Sequence, residues 1–262
     1  MISERPGRVV MIGAPVTGVR TPPMLAAFLA DNGRPSPVEV AHVEPGDLAA
    51  FMARTRTDEA VDGLMVTMPH KRAILPHLDA LSDAAAQARS VNAVKRLDGR
   101  LVGAQFDGIG LCNALDAAGA DLPGAWVWLK GLGGAGLAIT LALTARGAGA
   151  LLVSEIDGAR VAAAQALLPS AIFLDPADTP HADILVNATP LGMTAGDPSP
   201  FTADSVATAR LVADIVADPH ATRLAALAED TGTGLVTGRQ MVANQVPPIG
   251  RWLLSADLQQ EF

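Results

Sequence analysis

The chain has 262 residues, half of them hydrophobic but only 3% aromatic and none of them tyrosine, so its core is built from Ala, Leu, Val and Ile and suits an α/β protein of two modest domains. A net charge of −8 argues against electrostatic capture of nucleic acid or an anionic membrane surface, and points instead to a small-molecule ligand. Cys112 is the single cysteine, which excludes an internal disulfide and any cysteine metal cluster; with no signal-peptide pattern and no apolar run of about 18 residues, a soluble cytoplasmic protein is expected, monomeric or homodimeric.

Residues 8–12 (RVVMI), 38–43 (VEVAHV) and 63–68 (GLMVTM) read as strands, with a helix over PPMLAAFLADNG between the first two. Thr21 is placed to cap that helix, Pro22 and Pro23 suit its first turn, and Asn32-Gly33 ends it. The third strand stops before Pro69 and is followed by His70, Lys71 and Arg72; Pro69 keeps Met68 extended and opens a helical turn, so Lys71 projects from a strand's C-terminal end. Taken alone, an exposed lysine is a solubilising charge. Two alternating runs across 91–105 joined by Asp98-Gly99 form a hairpin at the sheet's edge.

After Asp107 a helical segment leads to the strand GAWVWL (124–129), the turn KGLGGAG, an Ala/Leu-rich helix to Gly147 and the strand ALLVSE (150–155). Further strands are expected at 171–174, 183–187, 211–216 and 234–236, followed by a helical tail from GRQMVANQ. Gly131, Gly133 and Gly136 form G-x-G-x-x-G between strand and helix, the setting in which glycines permit a tight turn, close approach to a pyrophosphate and helix–sheet packing. Gly134 and Ala135 complete this loop at the N-terminus of the helix, where unpaired N–H groups favour phosphate. Glu155, at the end of the second strand, is positioned to accept from a free ribose 2′-OH, which predicts NAD in preference to NADP; Arg160, one helical turn later, reads as an exposed surface charge.

The ordered set GAPVTGVRTPPMLAAF (13–28), VTMPHK, SVNAV, GAQFDGIGL, the glycine-rich turn, VNATPLGM (186–193) and GRQMVANQ (238–245) resembles the shikimate dehydrogenase family, including its quinate/shikimate members, over nearly the whole chain. The resemblance implies a substrate domain of residues 1–106 plus 238–262 and a Rossmann-type dinucleotide domain of residues 107–237, with the C-terminal helices returning to the first domain and the active site between the two. It also implies catalytic roles for Lys71, as proton shuttle, and Asp107, which anchors the reacting hydroxyl and orients the lysine. Thr67, Asn92, Gln245 and the positions of Val19 and Thr21 would bind substrate, and Asn187, Thr189 and Gly238 would join the cofactor site. No metal is called for.

The chain departs from the family pattern around that substrate. Val19 and Thr21 stand where two serines hold a carboxylate, although a threonine at the second position also occurs in NAD-linked quinate/shikimate enzymes; losing one donor costs about 1.5–3 kcal/mol. Met65, Ala93, Gln105, Phe106 and Ala217 replace the family's asparagine, threonine, asparagine, threonine and tyrosine. The expectation is an NAD-dependent dehydrogenase of a cyclic hydroxy acid with an altered, less polar substrate shell. Ordinary NADP-linked shikimate dehydrogenase is the alternative enzyme, and a dinucleotide-binding sensor with little turnover is the alternative of another class. The trio Lys71, Asn92 and Asp107 counts against the sensor.

Overall fold

A computed structural model describes residues 7–16, 19–175, 177–216 and 222–257. The chain forms two compact units: residues up to Phe106 with those from Gln245 onward, and Asp107–Asn244.

The first unit is built on one sheet ordered β2-β1-β3-β5-β6-β4, from strands β1 (Arg8–Gly13), β2 (Val38–His42), β3 (Val61–Val66), β4 (Ala80–Leu81), β5 (Ala93–Leu97) and β6 (Arg100–Ala104). β1 pairs in parallel with β2 and β3, and the hairpin β5–β6 joins antiparallel to β3. The hairpin turns through Asp98 and Gly99, whose φ angles of 51° and 74° are those the Asp-Gly pair tolerates best. Because side chains alternate across a strand, Val10, Ile12, Leu64, Val66 and Val94 share one face. They pack there with Leu48 and Met52 of α2 (Leu48–Thr57) and with Ile74.

Several boundaries differ from the sequence expectation, two of them beside the candidate substrate residues. β3 ends at Val66, so Thr67 and Met68 lie beyond the strand, and the Met68–Pro69 peptide is cis. Helix α1 (Thr21–Asp31) is preceded by Arg20 as N-cap, with Thr21 as its first helical residue; proline in the first turn supplies the pre-set φ, and no side chain caps the helix. The short helix α3 (His70–Ala73) and α4 (Asp83–Ala88) complete the local connections; Ser82 caps α4 by accepting from Ala85 N–H.

The second unit has six parallel strands, β7 (Trp126–Lys130), β8 (Ala150–Ser154), β9 (Ile172–Phe173), β10 (Ile184–Asn187), β11 (Leu211–Asp214) and β12 (Gly234–Thr237). They are ordered β12-β11-β10-β7-β8-β9, which is the doubly wound Rossmann arrangement with its reversal between β7 and β10. Both faces are covered, and for that reason the strands read as continuous apolar runs. Val127, Leu129, Leu151 and Val153 pack against α5 (Asp107–Ala117), α6 (Gly134–Ala145) and α7 (Gly158–Gln165). Trp128, Leu152, Leu185 and Val212 pack against α8 (Ala203–Thr208) and α9 (Arg223–Thr231). Helix α10 (Gly238–Leu254) begins in this unit, and its residues from Gln245 belong to the first.

Candidate functional site

In the first unit, the chain after β3 is pinned at both ends of a short turn. Thr67 N–H donates to Ile12 O at 3.0 Å, His70 N–H to Thr67 O at 2.9 Å, and Val91 N–H to Lys71 O at 2.7 Å. The last bond ties the half-buried Lys71 directly to the segment carrying Asn92. His70 is fully buried and its Nε2 lies 2.6 Å from Val43 O, which anchors the same turn from the other side; its Nδ1 has no partner among the described residues.

Asn92 is almost fully buried and structurally engaged. Its Oδ1 accepts from Phe106 N–H at 2.9 Å, its carbonyl accepts from Val66 N–H at 2.8 Å, and its own N–H donates to Ala104 O at 3.0 Å. Thr21 and Gln245 are buried, Val19 and Thr67 half-buried. Thr67, Lys71 and Asn92 thus sit on adjoining segments at one end of the sheet. Among the replaced residues, Phe106 has a structural partner: its ring meets Trp252 edge-on, with centroids 5.6 Å apart. Met65 and Ala93 are buried cross-strand partners, Gln105 donates to Ser90 Oγ at 2.8 Å, and Ala217 lies outside the described residues.

Asp107 follows Phe106, opens α5 in the second unit and is buried. There the glycine-rich turn has the shape a pyrophosphate needs. Gly131 has φ +97°, and a Cβ on it would lie 2.7 Å from Ala188 O; a Cβ on Gly136 would collide with Gly131 O. Among the described residues nothing lies within 4 Å of the corresponding point on Gly133, which leaves the backbone open at the N-terminus of the twelve-residue helix α6 begun by Gly134 and Ala135. These residues fit a dinucleotide.

Asn187 and Thr189 organise the loop after β10. Asn187 Oδ1 accepts from both the N–H and the hydroxyl of Thr189, while its Nδ2 donates to Leu191 O and Asp214 Oδ1, each at 3.0 Å. Gly238, where a Cβ would come 2.5 Å from Val216 O, lets the start of α10 pass close to the chain leaving β11. Asp214 and Lys130 did not emerge from the sequence. Asp214 reads as the polar end of an apolar strand. Lys130, which breaks the apolar run just before Gly131, places Nζ 4.4 Å from the Trp128 ring and 5.2 Å from that of Phe201; burial lowers its pKa.

Glu155 makes contacts that its position in the sequence does not announce. Its buried carboxylate is turned inward, with Oε2 accepting from Leu132 N–H at 2.6 Å and Oε1 from Ile156 and Asp157 N–H at 2.9 and 3.0 Å. It braces the glycine-rich turn against the end of β8. Arg160, read as a surface charge, reaches back to Glu155 at 3.6 Å and Asp157 at 3.3 Å, so a positive group does accompany this carboxylate.

Comparison with known proteins identifies the family. Residues 11–94 match the model of the shikimate dehydrogenase substrate binding domain. The chain is 33% identical over 251 residues to the shikimate dehydrogenase (NADP(+)) of Moorella thermoacetica, covering 91% of this chain and 85% of that one. It is 34% identical over 259 residues to the enzyme of the same description from Methylobacterium radiotolerans, covering 92% and 89%. The crystal structure of shikimate 5-dehydrogenase from Thermus thermophilus in complex with NADP(H) and shikimate superposes with a TM-score of 0.84 at 29% identity, covering 94% and 93%. The expected preference for NAD over NADP is therefore overturned. The relatives are NADP(+) enzymes, and Arg160 stands beside the carboxylate on which that preference rested.

Proposed function

Because the chain belongs to the shikimate dehydrogenase family, whose members are NAD(P)-dependent oxidoreductases acting on CH–OH donors, we propose that it catalyses the NADP-linked, reversible oxidation of a ring hydroxyl on shikimate or a closely similar cyclic hydroxy acid. The observation carrying this reading is the placement of Lys71 on a turn hydrogen-bonded beside Asn92, in a chain whose relatives match it over about nine-tenths of its length. Residues up to Phe106 with α10 from Gln245 onward make up the substrate side of this assignment, and Asp107–Asn244 the dinucleotide side.

Bound NADP supplies the hydride acceptor. The protein must then move the hydroxyl proton and stabilise charge developing on oxygen. The Lys71 amine takes the proton from the substrate hydroxyl during oxidation and returns it during reduction. The Asp107 carboxylate accepts a hydrogen bond from that hydroxyl and orients the lysine. Thr21, Asn92 and Gln245 hold the ring and its carboxylate, with Thr67 beside them. On the dinucleotide side, the backbone from Gly131 to Gly136 and the α6 N-terminus receive the pyrophosphate, with Asn187, Thr189 and Gly238 framing the loops around it. Arg160 is the positive group assigned to the adenosine end.

The test is initial-rate absorbance of reduced nicotinamide, with NADP and NAD crossed against shikimate, quinate and other cyclic acids. NADP with a shikimate-type acid is the expected productive pair; turnover with none of the acids would refute the assignment.

A further inference from the structure

Lys95 occupies a costly position: a lysine on β5, 2% exposed, in the interior of the first unit. Strand alternation puts it on the same face as Ala93, and the register sets these two opposite Gly63 and Met65 of β3. That face packs against the last turns of α10; a Cβ on Gly63 would lie 3.1 Å from Leu253 Cδ2.

The hydrogen bonds of the ammonium go to the end of that helix. Lys95 Nζ donates to Trp252 O at 3.2 Å, to Ser255 O and Oγ at 3.4 Å each, and to Asp257 O. A helix C-terminus leaves carbonyls without intrahelical partners and carries partial negative charge, so a cation there is favoured in charge as well as geometry. Nζ also lies 4.5 Å above the Trp252 indole. Trp252 in turn meets Phe106 edge-on, and Phe106 N–H is held by Asn92 Oδ1 at 2.9 Å. Two helical turns before Trp252, on the same side of α10, stands Gln245. Lysine, indole, phenyl ring and asparagine thus form one packed series, and the helix at its centre carries another proposed substrate contact.

We propose that Lys95 is a positioning residue for the substrate side of the active site: its ammonium fastens the end of α10 to β5 and, through Trp252 and Phe106, fixes Gln245 and Asn92 relative to one another. This rests on the assignment of those two residues to substrate binding. It also gives Phe106 a purpose other than lining a pocket, since a small residue there would leave Trp252 without its aromatic neighbour.

Two variants of the full chain, Lys95→Met and Lys95→Gln, test it. In Lys95→Met the KM for the cyclic acid should rise about tenfold while the KM for NADP stays within about twofold. Lys95→Gln, which keeps a donor for the carbonyls, should restore part of that loss. Hydrogen exchange should accelerate in residues 245–254 of Lys95→Met and stay unchanged in β7 and α6. Unchanged KM values, or acid and NADP KM rising together with exchange accelerating throughout, would overturn the proposal. If wild-type protein turned over none of the acids, the proposed function would fail on its own. Exchange would then decide for Lys95: unchanged protection of residues 245–254 overturns the clamp, and local acceleration supports it.

Discussion

Replacing Glu155 with alanine distinguishes a brace from a ribose-reading carboxylate. The substitution removes the acceptor from three N–H groups. Leu132 is 2% exposed, so its N–H loses its partner in a site that water does not readily enter, at a cost of about 1–3 kcal/mol. The N–H groups of Ile156 and Asp157 lie at a more open turn, where Ile156 is 90% exposed; hydration limits their combined loss to about 1 kcal/mol. The contact with Arg160 adds little, because that side chain is 45% exposed and keeps Asp157 as a partner. The total of roughly 2–4 kcal/mol corresponds to a fall in melting temperature of about 5–15 °C for a chain of this size. Calorimetry of wild type and Glu155→Ala measures that fall, and titration with 2′,5′-ADP and 5′-AMP measures the site. Both nucleotides should bind more weakly, by similar factors, because the damaged element is the turn they share. An unchanged melting temperature with a reversed preference between the two nucleotides would show that Glu155 reads the ribose after all.

Lys71→Met should lower kcat by about 10²–10⁴-fold and leave NADP affinity within about twofold, since it removes the proton carrier but none of the dinucleotide contacts; unchanged turnover would refute the assignment. Val19→Ser should restore a second hydroxyl beside Thr21 and lower the KM for shikimate by roughly tenfold or more, the equivalent of about 1.5–3 kcal/mol for a hydrogen bond to a charged group. A higher KM would show that the native substrate prefers the isopropyl surface. Burial depresses the pKa of Lys95 to about 8, partly offset by Asp257, against 10.5 for an ordinary lysine. Between those values the unfolded chain holds more protons, so this lysine makes stability rise with pH across that window and fall as pH drops through about 8, by a contribution on the order of 1–3 kcal/mol. Urea unfolding from pH 7 to 10 should show that rise in wild type and a flatter profile in Lys95→Met; superimposable profiles would contradict it.

The parts of this molecule that follow from local rules were legible in the chain. The Asp98-Gly99 hairpin, the apolar parallel strands and the glycine-rich turn are each decided by residues a few positions apart. Other features depend on partners that spacing does not reveal. Glu155 stands at the position expected of a ribose-binding carboxylate, and it also holds the backbone amide of Leu132, twenty-three residues earlier. Phe106 reads as an intrusion into a substrate shell until Trp252, near the far end of the chain, is found against its ring. Helix α2 buries only Leu48, Met52 and Thr55, too sparse an apolar stripe to announce itself.

The two buried lysine–indole contacts have a practical consequence. With no tyrosine in the chain, its near-ultraviolet emission comes almost entirely from three indoles. Trp126 is 53% exposed and emits as a solvated group, whereas Trp128 and Trp252 are buried, one in each unit and each with an ammonium over its face. Trp128 also donates its N–H to Ser154 Oγ, at the strand end beside the glycine-rich turn. Replacing Trp252 or Trp128 singly with Phe would therefore leave one buried native fluorophore in each variant, and the two variants side by side would report on the two units separately.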